Sequence, residues 1–402
     1  MTPHRGRLAL LLAQMAYGML AMALCLPSMP SWVTTFGVST AQVQLTFAAY
    51  VAAFGVMQLL YGPLSDRHGR RPVLLGGLVL AAVGSVLAAL ATGIEALTLA
   101  RGLQGAGTAA GVVVGRALVQ DLYQGNDRTR IMAWVGMAMG VTPPLATLLG
   151  GQLHDRLGWA SNFWLSAALA LGLLVAVWWG LPGGKQAAAQ PVHGATHAAA
   201  TGLWRGYWQL ARLPVYVWHV AMLGFIYATL YAFLSGAPVV LAQHGVGASQ
   251  VGWFVLCMTA SYIAGSFLTG RWIHRVSGRE LMVRGQWLTL AGAVLMLGLA
   301  LFEVPVHWSM TVPLLLVGLG HGLLVPPTLA GTVGQIPALA GSAAAVAGLM
   351  QQVMGAAGSY SVGAFDPVSV ALLAALMLGF SLLALASQWG LHRAQSRARA
   401  GG

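Results

Sequence analysis

Long apolar runs alternate with short polar segments along almost the whole chain. Twelve of these runs reach roughly 20 residues, the length at which an α-helix crosses a bilayer. They cover residues 8–30, 43–62, 73–93, 97–120, 131–152, 163–182, 215–241, 250–270, 286–304, 311–334, 340–363 and 367–390. The pattern predicts an all-α membrane protein with twelve transmembrane helices. An even number of spans places both ends of the chain on one side of the membrane.

The polar segments also divide the chain into two halves. The longest of them, 183–214, is low in complexity and rich in Ala, Gly and Gln, which is typical of a flexible linker. We therefore expect six-helix bundles at 1–182 and 215–402 on either side of it. The segment LYGPLSDRHGRR after the second span has a degraded counterpart, LTGRWIHRVSGR (Leu268–Arg279), after the eighth. This trace of duplication predicts two pseudo-symmetric bundles with a cavity at their interface.

Composition and charge support a membrane protein and fix its orientation. Hydrophobic residues make up 58% of the chain and charged residues only 7%, whereas globular domains carry about 25% charged residues. The net charge of +12 does not indicate nucleic-acid binding, because 17 of the 20 basic residues fall on one side of the predicted spans. The exceptions are Arg101, Arg116 and Arg156. The basic side, with both termini, is predicted to be cytoplasmic.

A basic segment between the second and third spans is the most specific pattern in the chain. Residues 61–75 read YGPLSDRHGRRPVLL, which matches G-x-L-x-D-R-x-G-R-R. The motif positions are Gly62, Leu64, Asp66, Arg67, Gly69, Arg70 and Arg71. We expect a short cytoplasmic loop in which glycines permit a tight turn and Asp66 pairs with arginines.

This segment resembles the signature loop of major facilitator superfamily transporters. Arg101-Gly-Leu-Gln-Gly-Ala-Gly resembles the fourth-helix motif of the same family. A further set of residues resembles the fifth-helix motif of antiporters, which kinks that helix and packs it on the other half. The set comprises Gly136, Gly140, Pro143, Gly150 and Gly151.

Finer features are similar to the Bcr/CflA drug-resistance subfamily. They are the segments Leu26–Pro30 and Tyr231–Pro238, together with Pro326, Gly341-Ser-Ala343 and Gln351. The resemblance implies a multi-pass bacterial inner-membrane protein that exports small amphipathic compounds in exchange for protons. One position departs from the subfamily, because Ala23 replaces its usual helix 1 aspartate and none of the eight acidic residues lies deep in a span. A uniporter or importer of one metabolite is therefore the alternative, and a ligand sensor is a third.

Two groups of charged residues are candidates for function. Arg101 lies inside the fourth span, where a guanidinium costs about 2.5–3.5 kcal/mol unless it meets water or a partner. It is predicted to bind substrate or to gate proton access, and the alternative is snorkelling to the outer interface. Arg116 and Asp121 are predicted to join Asp66 and Arg70 in a conformational latch at the inner face. The alternative is a static surface salt bridge.

The membrane interior offers few other polar side chains. His321, in Gly318-Leu-Gly-His-Gly, is the candidate to replace the missing proton-carrying carboxylate, with helix packing as the alternative. His219 is predicted to be interfacial. The candidates for the lining of the substrate pathway, each of which packing would also explain, are Tyr17, Tyr50, Gln104, Tyr227, Tyr231, His321, Gln351 and Gln352.

Other classes of function are not favoured. The sequence has no Gly-x-x-x-x-Gly-Lys-Ser/Thr, no metal-like spacing of Cys and His, and no domain outside the membrane that would hold an active site. We expect no catalytic residue, metal, cofactor or nucleic-acid partner. The expected partners are a small-molecule substrate, protons and the lipid bilayer, and the chain is expected to be a monomer.

Overall fold

The structure is a computed structural model that describes residues 3–123, 125–181, 208–272, 275–333 and 340–400. These residues form thirteen α-helices and no β-strand. The helices of the first half are α1 (Pro3–Ala23), α2 (Met29–Phe36), α3 (Thr40–His68), α4 (Arg70–Ala89), α5 (Ile94–Leu122), α6 (Gly125–Leu157) and α7 (Ala160–Gly180). Those of the second half are α8 (Pro214–Gln243), α9 (Ala248–Trp272), α10 (Gly278–Leu301), α11 (Val306–Val333), α12 (Ala340–Gly363) and α13 (Val370–Ala400).

All helices except the short α2 correspond to predicted spans, so the all-α prediction is confirmed. In the described part of the chain, nine spans are long and apolar enough to cross a membrane by length and composition alone. The long helices α5, α6 and α12 fall outside that set. Glycine, alanine and polar residues take the place of leucine and valine in much of α5 and α12, which lowers their hydropathy.

The first predicted span is not one continuous helix. The helix α1 ends at Ala23, a short 3-10 helix covers Leu26–Ser28, and α2 begins at Met29. Pro27 and Pro30 each occupy one of the first two positions of the element that they begin. Proline lacks the N–H that an uninterrupted helix needs, so the Leu-Pro-Ser-Met-Pro segment divides the span.

The basic motif is mostly helical, contrary to the predicted loop. The helix α3 continues through Gly62, Pro63 and Asp66 to His68, and α4 begins at Arg70. Gly69 alone separates them, with φ of 92°, a backbone conformation that side chains rarely adopt. Gly69 is therefore the position of this motif at which the backbone conformation requires glycine. A Cβ added at Gly62 would point into open space.

The chain divides into two compact units. Unit 1 comprises Met1–His193 and Val246–Trp253, and unit 2 comprises Gly194–Gly245 and Phe254–Gly402. The domain limits inferred from the sequence, 1–182 and 215–402, remain a prediction. Of the predicted linker 183–214, Trp208 and Arg212 are described, whereas Trp204 and Arg205 lie outside the described residues.

Within each unit, glycines bring helix backbones together. A Cβ at Gly105 of α5 would overlap the carbonyl oxygen of Tyr50 in α3, and one at Gly107 would overlap the backbone of α4. In unit 2, a Cβ at Gly358 of α12 would overlap the carbonyl oxygen of Ala228 in α8. Such contacts are the ordinary means of packing helices in lipid, where the hydrophobic effect does not drive helices together.

Candidate functional site

Arg101 lies at the centre of a polar cluster inside unit 1. Its side chain is 0% exposed. One terminal nitrogen donates hydrogen bonds to the carbonyl oxygen of Ala21, at 3.1 Å, and to the side-chain oxygen of Gln104. The guanidinium carbon lies 4.3 Å from the ring centroid of Tyr50, a cation–π distance. Arg101 is therefore buried between α1, α3 and α5 and does not snorkel to an interface.

Gln104 extends the cluster to two further helices. Its amide nitrogen donates to the hydroxyls of Ser85 in α4, at 2.8 Å, and Ser166 in α7, at 3.0 Å. The hydroxyl of Tyr17 donates to the carbonyl oxygen of Ser166, at 3.0 Å. Hydrogen bonds of this cluster thus join four helices of the unit, α1, α4, α5 and α7.

Tyr50 is anchored beside the same network. Its hydroxyl donates to the carbonyl oxygen of Gly18 at 2.8 Å and lies 2.7 Å from the hydroxyl of Thr108. Tyr17, Tyr50, Arg101 and Gln104, each predicted as a site residue, are therefore brought together by the fold. All four are buried and hydrogen-bonded.

The charge of Arg101 lacks a carboxylate partner in the described structure. Where burial is described, no aspartate or glutamate is buried. The Nε and Nη2 atoms of Arg101 are also buried without hydrogen-bond partners among the described residues. A charged group held this way in a low-dielectric interior is expensive, which makes Arg101 a candidate for function.

Three of the four residues of the predicted latch, Asp66, Arg70 and Asp121, form an ion-pair network in unit 1, and its role as a latch stays a prediction. Arg70, at the start of α4, pairs with Asp66 of α3 and, at 3.0 Å, with Asp121 near the end of α5. Its guanidinium also donates to the hydroxyl of Ser65 at 2.8 Å. The side chain of Asp66 is 63% exposed and that of Asp121 22% exposed, so Asp121 is the better shielded partner.

The other motif residues lie around this network in different ways. Arg71 turns toward α7, where it donates to the carbonyl oxygen of Trp178 and its guanidinium carbon lies 5.0 Å from that indole ring. Arg67 on α3 and Arg116 on α5 are exposed.

Unit 2 contains a second, smaller polar group. The hydroxyl of Tyr231 in α8 donates to the side-chain oxygen of Gln352 in α12 at 2.9 Å, and Tyr227 meets Tyr231 edge to face. Gln352 is buried and Gln351 half-buried. Of the two predicted glutamines, Gln352 is therefore the one that accepts this hydrogen bond from Tyr231.

The two histidines of the predicted spans are both buried in unit 2. His321 of α11 is 2% exposed, and its Nε2 has no hydrogen-bond partner among the described residues. His219 of α8 has its Nδ1 2.8 Å from the carbonyl oxygen of Val215, and its ring lies against Gly331 of α11. His219 is thus enclosed between two helices, where Gly331 leaves room for the imidazole, and its predicted interfacial depth in the membrane stays a prediction.

The predicted fifth-helix motif lies on α6. Gly150 is pressed against the carbonyl oxygen of Leu24, and Gly151 against that of Ala248, a residue that groups with unit 1. Pro143 is inside the helix, and a Cβ at Gly140 would point into open space. The surroundings of Gly136 lie outside the description.

Three hydroxyl residues of the network, Ser85, Thr108 and Ser166, were not singled out from the sequence. Ser85 also bonds the Ala81 carbonyl oxygen of its own helix at 2.7 Å, as isolated serines in transmembrane helices do. Their role depends on which helix face meets Gln104 and Tyr50, and the nearly all-round apolar sequence does not specify that face.

Twelve long helices, internally buried polar groups and an ion-pair network at a helix junction define a polytopic membrane protein. The Major Facilitator Superfamily model matches residues 8–359, and the chain belongs to this superfamily. It is accordingly a multi-pass membrane transporter with a small-molecule substrate, and not an enzyme.

Similar proteins share most of the chain. Multidrug resistance protein D of Escherichia coli (strain K12) is 30% identical over 348 residues, which are 86% of this chain and 85% of that protein. A chloramphenicol resistance protein of Pseudomonas aeruginosa is 31% identical, with 81% and 76% covered. The solved structure of a bacterial homologue of the lysosomal transporter Spinster aligns with a TM-score of 0.77 at 15% identity, covering 98% of both chains. That structural likeness supports the fold alone.

Proposed function

We propose that the chain exports small amphipathic, drug-like compounds across the bacterial inner membrane by alternating access, in exchange for protons. The observation that carries this proposal is the 30% identity with multidrug resistance protein D over 86% of the chain. The relatives' names give no support to the alternative of a metabolite uniporter or importer, which rested on Ala23. The positive-inside rule supports placing both termini in the cytoplasm.

The Arg101 network supports a conformational role in this cycle. It joins α1, α3, α4, α5 and α7 through hydrogen bonds to backbone and hydroxyl groups, so a shift of one helix changes the partners of several others. Two guanidinium nitrogens without described partners are available to a substrate, a water molecule or a rearranged side chain in another state. We assign Arg101 and Gln104 to the substrate and proton pathway on this basis.

The Arg70 network is proposed to act as the latch. Arg70 links three helices through Asp66 and Asp121, and exposed Asp66 is the partner that separates most easily in water. Loss of this contact in one state and its recovery in the other would bias the populations of the two states.

Energy for export is proposed to come from protons moving inward. One charge crossing about 100 mV provides roughly 2.3 kcal/mol, which sustains about a fiftyfold substrate gradient. His321 is the proposed proton carrier, because it is a buried titratable group in a transmembrane helix. None of the acidic residues whose burial the structure describes is buried.

A susceptibility panel in an efflux-deficient host tests the proposal. The wild-type chain is expected to raise the inhibitory concentration of several amphipathic drugs, and Asp66→Asn is expected to abolish that gain at equal membrane abundance. Glu95→Gln, which removes an exposed carboxylate elsewhere in unit 1, serves as the matched control. Resistance to no compound would contradict the drug-export proposal, and full resistance with Asp66→Asn would exclude the latch alone.

A further inference from the structure

The ends of α10 and α13 form an open basic groove in unit 2. It has a volume of about 640 Å³ and is lined by Arg279, Trp389, His392, Arg393, Ser396 and Arg397. Three guanidinium groups and an imidazole thus lie together without a carboxylate among the lining residues. Glu280, next to Arg279 in sequence, is already paired with Arg284.

The exposed face of α13 continues from the groove into apolar surface. Leu382, Ala386, Trp389, Arg393 and Arg397 are all exposed and follow one another at intervals of three or four residues, which places them on one face of the helix. Along this face, apolar residues give way first to tryptophan and then to arginine. The order matches the change from acyl chains through the interface to headgroups in a bilayer.

The groove is held in place by helix packing. The amide nitrogen of Gln286 in α10 donates to the carbonyl oxygen of Ser381 in α13 at 2.7 Å. Gly390 of α13 packs against the indole of Trp218 in α8. The guanidinium carbon of Arg393 lies 3.7 Å from the ring centroid of Trp389, which keeps the arginine at the level of the indole.

We propose that this groove binds the phosphate headgroup of an anionic phospholipid such as phosphatidylglycerol. Arginine presents a planar fork of donors that suits phosphate oxygens, and Trp389 supplies the flat surface typical of the interface. The acyl chains would lie along Leu382 and Ala386. A free phosphate ion would use only the basic end, so the continuous apolar face favours a lipid.

Native mass spectrometry of the purified full-length chain tests this site. The protein is released from micelles that contain equal amounts of phosphatidylglycerol and phosphatidylcholine, and the bound lipids are counted. The wild type is expected to retain phosphatidylglycerol preferentially. Each arginine near a charged surface contributes about a fivefold change in affinity, so Arg393→Gln with Arg397→Gln should weaken phosphatidylglycerol binding by about 25-fold.

Two further variants test whether phosphatidylglycerol binding depends on positive charge in the groove or on positive charge anywhere on the protein. Arg393→Lys with Arg397→Lys keeps both charges and should retain most of the phosphatidylglycerol preference. Arg212→Gln is the matched control, because Arg212 lies 5.1 Å from the ring centroid of Trp208, which is 63% exposed like Trp389, but does not line the groove. This variant should bind phosphatidylglycerol as the wild type does.

Several results would overturn the proposal. They are equal retention of the two lipids by the wild type, unchanged binding in the double glutamine variant, and an equal loss in Arg212→Gln. Displacement of phosphatidylglycerol by millimolar inorganic phosphate would assign the groove to a soluble anion instead. If the double glutamine variant does not fold, Arg397→Gln alone decides, with an expected loss of about fivefold.

Discussion

Arg101 stands out in the sequence as a charge inside an apolar span, and the structure shows which groups surround it. Its contacts are a carbonyl oxygen, a glutamine and an aromatic ring, none of which carries a full negative charge. Replacing a poorly compensated buried charge by an apolar side chain of similar volume is often neutral or stabilising. Substitution of Arg101 should therefore impair transport without lowering the stability of the protein.

We predict that Arg101→Met slows drug export without lowering the unfolding temperature. A charge-assisted hydrogen bond contributes about 1.5–3 kcal/mol, so loss of one used in the transport cycle slows transport by about tenfold to a hundredfold. Export is measured in cells and unfolding on the purified protein. A fall in unfolding temperature with transport retained would show that Arg101 only supports the fold.

The position of single side chains was the least predictable part of the site. Tyr17, Tyr50, Arg101 and Gln104 stand out in the sequence because polar groups are rare in apolar spans, and the structure brings them together. The burial of Trp32 could not be predicted in the same way. Trp32 is fully buried against Phe163, with ring centroids 6.0 Å apart. Helices that are apolar on every side do not show in sequence which face meets lipid.

Helices were predicted more reliably than their interruptions. Every predicted span overlaps a helix, because apolar length is the dominant signal in a membrane protein. The breaks depend on individual residues instead. Pro27 divides the first span, whereas Pro143 is accommodated inside α6, and Gly69 ends a helix that Gly62 does not.

Close approach of α5 to α3 gives a prediction about the fourth-helix motif. A Cβ at Gly105 would overlap the Tyr50 backbone, whereas one at Gly102 would meet nothing within 4 Å. Overpacking costs about 1–3 kcal/mol, and alanine in an open helix position gains up to about 1 kcal/mol over glycine. Gly105→Ala should therefore lower the unfolding temperature, and Gly102→Ala should leave it unchanged or raise it. Equal unfolding temperatures for the two variants would rule out this helix contact.

Membership of the superfamily was predictable for the whole chain because its motifs combine unusual residues at fixed spacing. The Arg70 motif and the Arg101 motif occupy helix junctions and interiors where charge is costly, so chance matches are rare. Proton coupling was not predictable from the sequence, because Ala23 stands where the subfamily's aspartate is expected. The described acidic side chains offer no buried replacement, which leaves titration within the helices to histidine.

Proton coupling can be assigned by comparing the two buried histidines. In everted vesicles, the wild type is expected to take up drug when a proton gradient is applied and to stop when a protonophore collapses it. His321→Gln should remove this dependence on the gradient, since glutamine fills similar space without titrating. His219→Gln is the control, because the His219 ring is already engaged with Val215 and packed on Gly331. Uptake by His321→Gln that still follows the gradient would show that another group carries the proton, even if drug export itself is established.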